Sequence, residues 1–275
     1  NGETKDDPDP VITSSSGKTN NTVTITAEKN ATANVTLENV NIDTGTRGGA
    51  AITTSGEGNV NIELNGTNTV QSGNTHAGVE KKGDGTLTIT DENKDGSLTA
   101  TGGNYGAGIG GGYEGSGSNI AIEGGKVEAS SSGGGAGIGG GSLGSGSNIA
   151  VSGGEVTAQG GVGGAGIGGG QGGSGSKITI SDGKVTATGA GAGAGIGGGI
   201  TIEGGEVTAQ GDAGGAGIGG GISGTGSDVT ISGDAQVKVQ GGTTGRDWHK
   251  GAAIGNGGTP TTDGNEGSPN TSDLK

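Results

Sequence analysis

Gly106-Ala107-Gly108-Ile109-Gly110-Gly111-Gly112 returns as residues 135–141, 164–170, 193–199 and 215–221, and this phrase decides the fold. Ile109, Ile138, Ile167 and Ile196 lie 29 residues apart, and a fixed period of this size marks a solenoid. After each copy come an Ile-Thr-Ile-like phrase and a Gly-Gly-x-Val-Thr-Ala-like phrase, clearest between Asn104 and Asp212. The step from Ile196 to Ile218 is only 22 residues. The missing segment is present elsewhere as Tyr113–Asn119, Ser142–Asn148 and Gln171–Lys177. A stretch that can be removed without touching the apolar pattern is an excursion from a coil. The minimal coil therefore holds three short strands joined by Gly-rich turns.

Composition agrees with a narrow stacked core and excludes an ordinary globular one. The chain has 75 Gly in 275 residues, 1% aromatics, and no Phe, Met or Cys. Large side chains supply most burial in a globular core, and here they are missing. A net charge of −14 with so few apolar residues would by itself suggest disorder. The periodicity overrides that reading, because nearest-neighbour stacking lets short aliphatic groups form a continuous core. Collagen is excluded, since Gly has no strict three-residue period. The acidic balance disfavours nucleic acid and anionic lipid as partners, and no 18-residue apolar run predicts membrane insertion. No signal peptide is legible, which suggests a mature or trimmed chain.

Strand alternation assigns the sides. Ala136 and Ile138 face in with Gly137 out, Ile149 and Val151 face in, and Val156 and Ala158 face in with Thr157 in water. Two columns follow: Ile120, Ile149, Ile178, Ile200 and Val229, and Val127, Val156, Val185, Val207 and Val237. The first half obeys a looser rule, with Ile25, Ile52 and Val79 spaced by 27. The expected fold is all-β: a right-handed parallel β-helix of about nine coils, on the order of 45 Å long. Residues 11–258 form one domain, with irregular coils over 11–103, regular repeats over 104–242 and a C-terminal cap over 243–258. Residues 1–10 read as a linker and 259–275 as a tail.

The runs Val35–Ile42, Asn61–Val70 and Gly96–Gly102, with the repeated Ala-Gly-Ile-Gly-Gly-Gly, resemble the Gly-rich β-helix repeat regions of large surface proteins of Gram-positive bacteria. The resemblance covers nearly the whole chain. It implies an extracellular, cell-wall-associated location; such regions include carbohydrate-binding modules, adhesin segments and stretches of unknown role.

Among candidate sites, Asp91-Glu92-Asn93-Lys94-Asp95-Gly96 matches the start of a calcium loop, with Asp91, Asn93 and Asp95 as ligands. The twelfth position is Gly102 and not Glu, and the plainer reading of the same residues is an Asx-rich turn. Tyr105, Tyr113 and Trp248 are the only aromatics and the candidate platform for a polysaccharide or host glycan. Tyr105 and Tyr113 flank one strand, whereas Trp248 lies in an insertion and reads more readily as an end cap. The series Lys126, Glu155, Lys184, Glu206 reads as a stacking column, as do Thr179, Thr201 and Thr230. The Gly column 108, 137, 166, 195 and 217 predicts a flat face, either exposed or covered by the excursions, and the natural place for a dimer; nothing in the sequence fixes the oligomeric state. His76 and His249 are far apart in coil order, and no catalytic constellation is legible. The chain is expected to be a non-catalytic glycan-binding or adhesion module; a structural stalk is the alternative and a polysaccharide lyase a distant third.

Overall fold

The computed structural model describes residues 9–14, 17–226, 228–243 and 249–267. They form a right-handed parallel β-helix with three sheets running its length. The first sheet has nine strands, from Val11–Thr13 to Val229–Ile231. The second has eight, from Asn41–Asp43 to Gln236–Gln240, and the third nine, from Val23–Thr26 to Ile254–Gly255. The chain visits the sheets in that order, so there are nine coils. The first lacks a full second-sheet strand and carries only a single bridge, Thr19 to Ile42.

Every strand pairing among the described residues is parallel, with in-register rows of like side chains. Ile120 pairs with Ile149, Ile149 with Ile178, Ile178 with Ile200 and Ile200 with Val229. The Val column runs unbroken from Val127 to Val237. Ile138, Ile167, Ile196 and Ile218 are fully buried. Burying a side chain of this size contributes roughly 1.5–3 kcal/mol, and the contribution repeats at each coil. The polar groups that enter the interior are satisfied. Asn68 Oδ1 accepts from Val40 N at 2.9 Å while its Nδ2 donates to the carbonyls of Asn65 and Ser97.

The Gly column of the third sheet is neither bare nor roofed by the excursions. It is covered by backbone of the second-sheet strands, chiefly that of the next coil, and by the next Gly of the column. A Cβ on Gly137 would lie 2.6 Å from Gln159 N and 2.7 Å from Gly166 O. The expected flat, dimer-ready face is therefore a tight corner of backbone against backbone. Two residues on, Gly110, Gly139, Gly168, Gly219 and Gly255 share φ between 131° and 138°, a region closed to L side chains.

Three further boundaries differ from the sequence reading. The excursions end earlier, because the first-sheet strands already begin at Gly117, Gly146 and Gly175. Asn119, Asn148 and Lys177 are extra residues at φ 51–56° inside those strands, which alternation alone does not reveal. In the first coil Val23, not Ile25, stands opposite Ile52, so the true step there is 29 and the slip of two keeps the apolar face inward. Finally, residues 259–267, expected as tail, fold back on the last coil. Glu266 bridges antiparallel to Gly255, and its carboxylate accepts from the N–H groups of Ala253 and Ile254 at 3.0 and 3.3 Å. This covers the open edge of the third sheet, the function assigned to Trp248, which lies outside the described residues.

Gly137→Ala should destabilise the stack severely, because the clashing atoms are backbone and cannot rotate away. Ala150→Thr, on the exposed row beside Thr179, should change the denaturant midpoint little. Urea unfolding followed by circular dichroism compares the two.

Candidate functional site

The excursions themselves stack. Glu114 N donates to Ser142 O and Leu143 N to Gln171 O, both at 2.8 Å, and Gly141 N and Gly170 N reach Gly115 O and Gly144 O. Each excursion closes a tight turn, such as Gly115 N to Gly112 O at 2.8 Å, with its third residue at positive φ. This second ladder begins at Gly112–Ser116, because the coil of Val79 turns from Lys81 straight toward Leu87. At that lower end the two candidate tyrosines meet. Their ring centroids are 5.3 Å apart with planes at 66°, an edge-to-face pair. Tyr105 is held by its N–H to Asn74 O and Tyr113 by its N–H to Thr75 O. Both remain substantially exposed, at 43% and 45%.

Beside Tyr113 an open groove of about 530 Å³ is lined by Thr75, His76, Glu80, Lys82 and Gly112. Glu80 is its centre. The carboxylate is 4% exposed, with Oε2 2.7 Å from His76 Nδ1 and Oε1 2.8 Å from Lys82 Nζ. Oε2 also accepts from Ala77 N at 3.2 Å. In the regular coils the corresponding amides bond to the first carbonyl of the excursion, as Ala107 N does to Gly111 O and Ala136 N to Gly140 O. The coil of Val79 has no excursion, so the Glu80 side chain supplies the acceptor instead. Glu80 pairs in register with Gly110, where every regular coil has Gly. Gly112 completes the fit: a Cβ there would come within 3.1 Å of Glu80 Oε2.

Two neighbours are electrostatically perturbed. Burial pushes the Lys81 ammonium below the ordinary lysine range, with Asp84 acting against it, and its Nζ donates to Gly83 O. The adjacent Glu114 carboxylate pushes the Tyr113 phenol up, so its hydroxyl keeps its proton further into the alkaline range.

Asp91, Asn93, Asp95 and the Lys126 column do not line this groove. Asp91 Oδ1 accepts from Gly96 N at 3.2 Å and Asn93 Oδ1 from Asp95 N, the bonds of an Asx turn. No group of three or more acidic, His or Cys side chains among the described residues is placed to hold a metal. Lys126, Glu155, Lys184 and Glu206 are in register as a column. Lys126 nevertheless pairs along its own strand with Glu128 at 3.1 Å, which raises its pKa, and Lys184 is 4.0 Å from Glu155. Such exposed pairs contribute little.

The tyrosine pair is legible in the sequence, whereas Glu80 and Lys82 are not among its candidates. The available signal was an acid at a position that is Gly in every regular coil, four residues after the only His of the amino-terminal half.

Comparison with known proteins matches residues 94–113, 120–142, 149–171, 178–199 and 200–222 to the β-helix repeat family, so this part of the chain is a β-helix repeat region. No curated protein and no solved structure matches the chain.

Two outcomes test the groove. Glu80→Leu should strip the acceptor from Ala77 N, costing about 1–3 kcal/mol and speeding exchange of that amide, while Glu80→Gln keeps the bond and most of the protection. For Lys81, the folded state holds fewer protons than the unfolded chain between its depressed pKa and the unperturbed value of about 10.4. Wild-type stability should therefore rise with pH through that window, and Lys81→Met should flatten the rise in pH-dependent urea unfolding.

Proposed function

We propose that this protein is an extracellular, cell-wall-associated β-solenoid that binds polysaccharide or host glycan without catalysis, at the Tyr105–Tyr113 groove. One observation carries the reading: exposed Tyr113, packed edge-to-face with exposed Tyr105, lines a groove together with the Glu80–His76–Lys82 cluster. Exposed aromatic rings offer a sugar its apolar face a surface, and the charged cluster offers its hydroxyls donors and acceptors in set directions. The tyrosine hydroxyls add two further polar tips. Extended polymer suits a rod better than a compact ligand does, since the groove opens along the side of a stack.

Non-catalytic binding is favoured over hydrolysis by the lining. Glu80 is the one carboxylate that lines this groove, and it is already bonded to His76, Lys82 and Ala77. Hydrolysis of a glycosidic bond uses a pair of carboxyl groups flanking it. A structural stalk is the second reading, supported by the uninterrupted columns of the regular coils. The cell-surface location rests on the resemblance to Gram-positive surface repeats. The acidic charge supports neither nucleic acid nor anionic membrane as a partner. No helix of the described residues is long and apolar enough to cross a membrane.

A glycan array and polysaccharide pull-down, each with and without calcium, is the test. Binding that Tyr113→Ala and Tyr105→Ala each weaken by roughly tenfold or more supports the module. Absence of binding to plant, host and microbial glycans leaves the stalk. Dependence on calcium that Asp95→Asn removes would assign a metal to the Asp91–Asp95 loop, and release of unsaturated uronides would replace both readings with a lyase.

A further inference from the structure

The excursion ladder is interrupted once. The coil of Ile196 passes from Gly197 through Gly198 and Gly199 directly into Ile200, with positive φ moved from the usual position to Gly198 at 87°. The flanking excursions, Gly170–Ser174 below and Gly221–Thr225 above, are thus two strand spacings apart, about 10 Å. Between them the surface opens into two adjoining clefts of about 440 and 740 Å³.

Backbone groups that are paired in every neighbouring rung are unpaired here. The Gly172 N–H has no acceptor, whereas its counterparts Glu114 and Leu143 donate upward to Ser142 O and Gln171 O. The Gly173 carbonyl has no donor, whereas Gly115 O and Gly144 O receive Gly141 N and Gly170 N. The Gly163 carbonyl is likewise free, while Tyr105 O, Gly134 O and Ala192 O each accept from the excursion of the next coil. From above, the Gly221 N–H and the Ile222 carbonyl face the same gap without partners. Behind them the Ala194 N–H, buried and unpaired, lines the cleft; its counterpart Ala165 N reaches Gly169 O at 3.0 Å.

These directions describe one occupant. A tight-turn peptide lying as Gly170–Gly173 lies one rung below would donate to Gly173 O, Gly163 O and Ile222 O and accept from Gly172 N–H and Gly221 N–H. Side chains at the margin fit the same purpose. Of the five exposed large apolar residues among those described, Leu143 (55%) abuts Gly172 and Val162 (61%) adjoins Gly163 and Gly191. We propose that this gap is a peptide-binding slot that takes a glycine-rich turn segment, Gly-X-Gly-Gly in type, from a partner protein and restores the missing rung by backbone hydrogen bonding. It is separate from the tyrosine groove and does not depend on its function. A side-chain-poor slot selects for backbone geometry: the partner must supply an open turn with its third residue able to take positive φ.

The test uses the whole chain, isotopically labelled, and the capped peptide acetyl-Gly-Gly-Gln-Gly-Gly-Ser-Gly-amide. Saturable shifts of the Gly172, Gly221 and Ile222 amides at millimolar peptide are expected. N-methylation of the peptide glutamine removes the donor to Gly163 and should weaken binding roughly tenfold. Inserting a copy of Gln171–Lys177 between Gly199 and Ile200 fills the slot in cis and should abolish the shifts. The proposal falls if the peptide moves none of these amides, if the methylated peptide binds equally, or if the folded insertion variant still responds. Shifts produced by oligosaccharides and not by peptide would also overturn it. Should the insertion prevent folding, the comparison of the two peptides on the unaltered protein decides.

Discussion

The structure depends on one constraint: each coil's backbone must be hydrogen-bonded by the coils above and below it. Parallel ladders do this only while the strands stay in register and about 4.8 Å apart. At the corner between the second and third sheets, that spacing brings backbone against backbone. Gly137 has no room for a methyl group, and Gly139 needs a φ of 131°. The high glycine content is therefore a packing requirement of the corner and of the excursions. The aliphatic columns then close the interior, and their energy accumulates coil by coil with no large side chain needed.

The same constraint explains where chemistry is found. A regular rung consumes its own donors and acceptors, so it has little left to offer a ligand. Where the excursion ladder starts, the Ala77 amide lacks its usual carbonyl, and Glu80 is drawn into a buried position to supply one. His76 and Lys82 then settle on the carboxylate, and a charged cluster exists on the last rung before the excursions begin. Where the ladder is interrupted, no side chain substitutes, and the groups around Gly163, Gly172 and Gly221 stay unpaired. Both features are consequences of broken periodicity. One break is repaired from within by an acid; the other is open to repair from outside.

Much of this architecture is legible in the chain because its code is local and repeated. Ile109 to Ile138 to Ile167 fixes register without any knowledge of long-range contacts, and the 22-residue step identifies the excursion as dispensable. What is not legible is anything whose cause lies between rungs. The sequence shows that Gly137 should face away from Ile138, but not that the ends of the second-sheet strands lie against that face. It shows alternation in Ile149-Ala150-Val151, but not that Asn148 is an extra residue in the left-handed region, since Asn tolerates that region without changing the apolar pattern. Glu80 escaped for a related reason: its significance is visible only once it is aligned with Gly110 and the missing excursion is noticed.

The contrast between the two breaks bears on how such a rod acquires specificity. Its surface carries few side chains able to discriminate, and two of its three aromatics are already concentrated in the tyrosine pair. Adding a binding side chain to a regular rung meets the packing limit at each glycine corner. Deleting an excursion meets no such limit, because the apolar columns pass through the shortened coil intact: Ile178 still pairs with Ile200, and Ile196 with Ile218. The cost is confined to a few backbone bonds at the surface, and those same groups are then positioned by two rigid neighbours, which lowers the ordering cost of a segment that binds them. In a nearest-neighbour solenoid, removing a surface segment is thus a gentler route to a recognition site than building one.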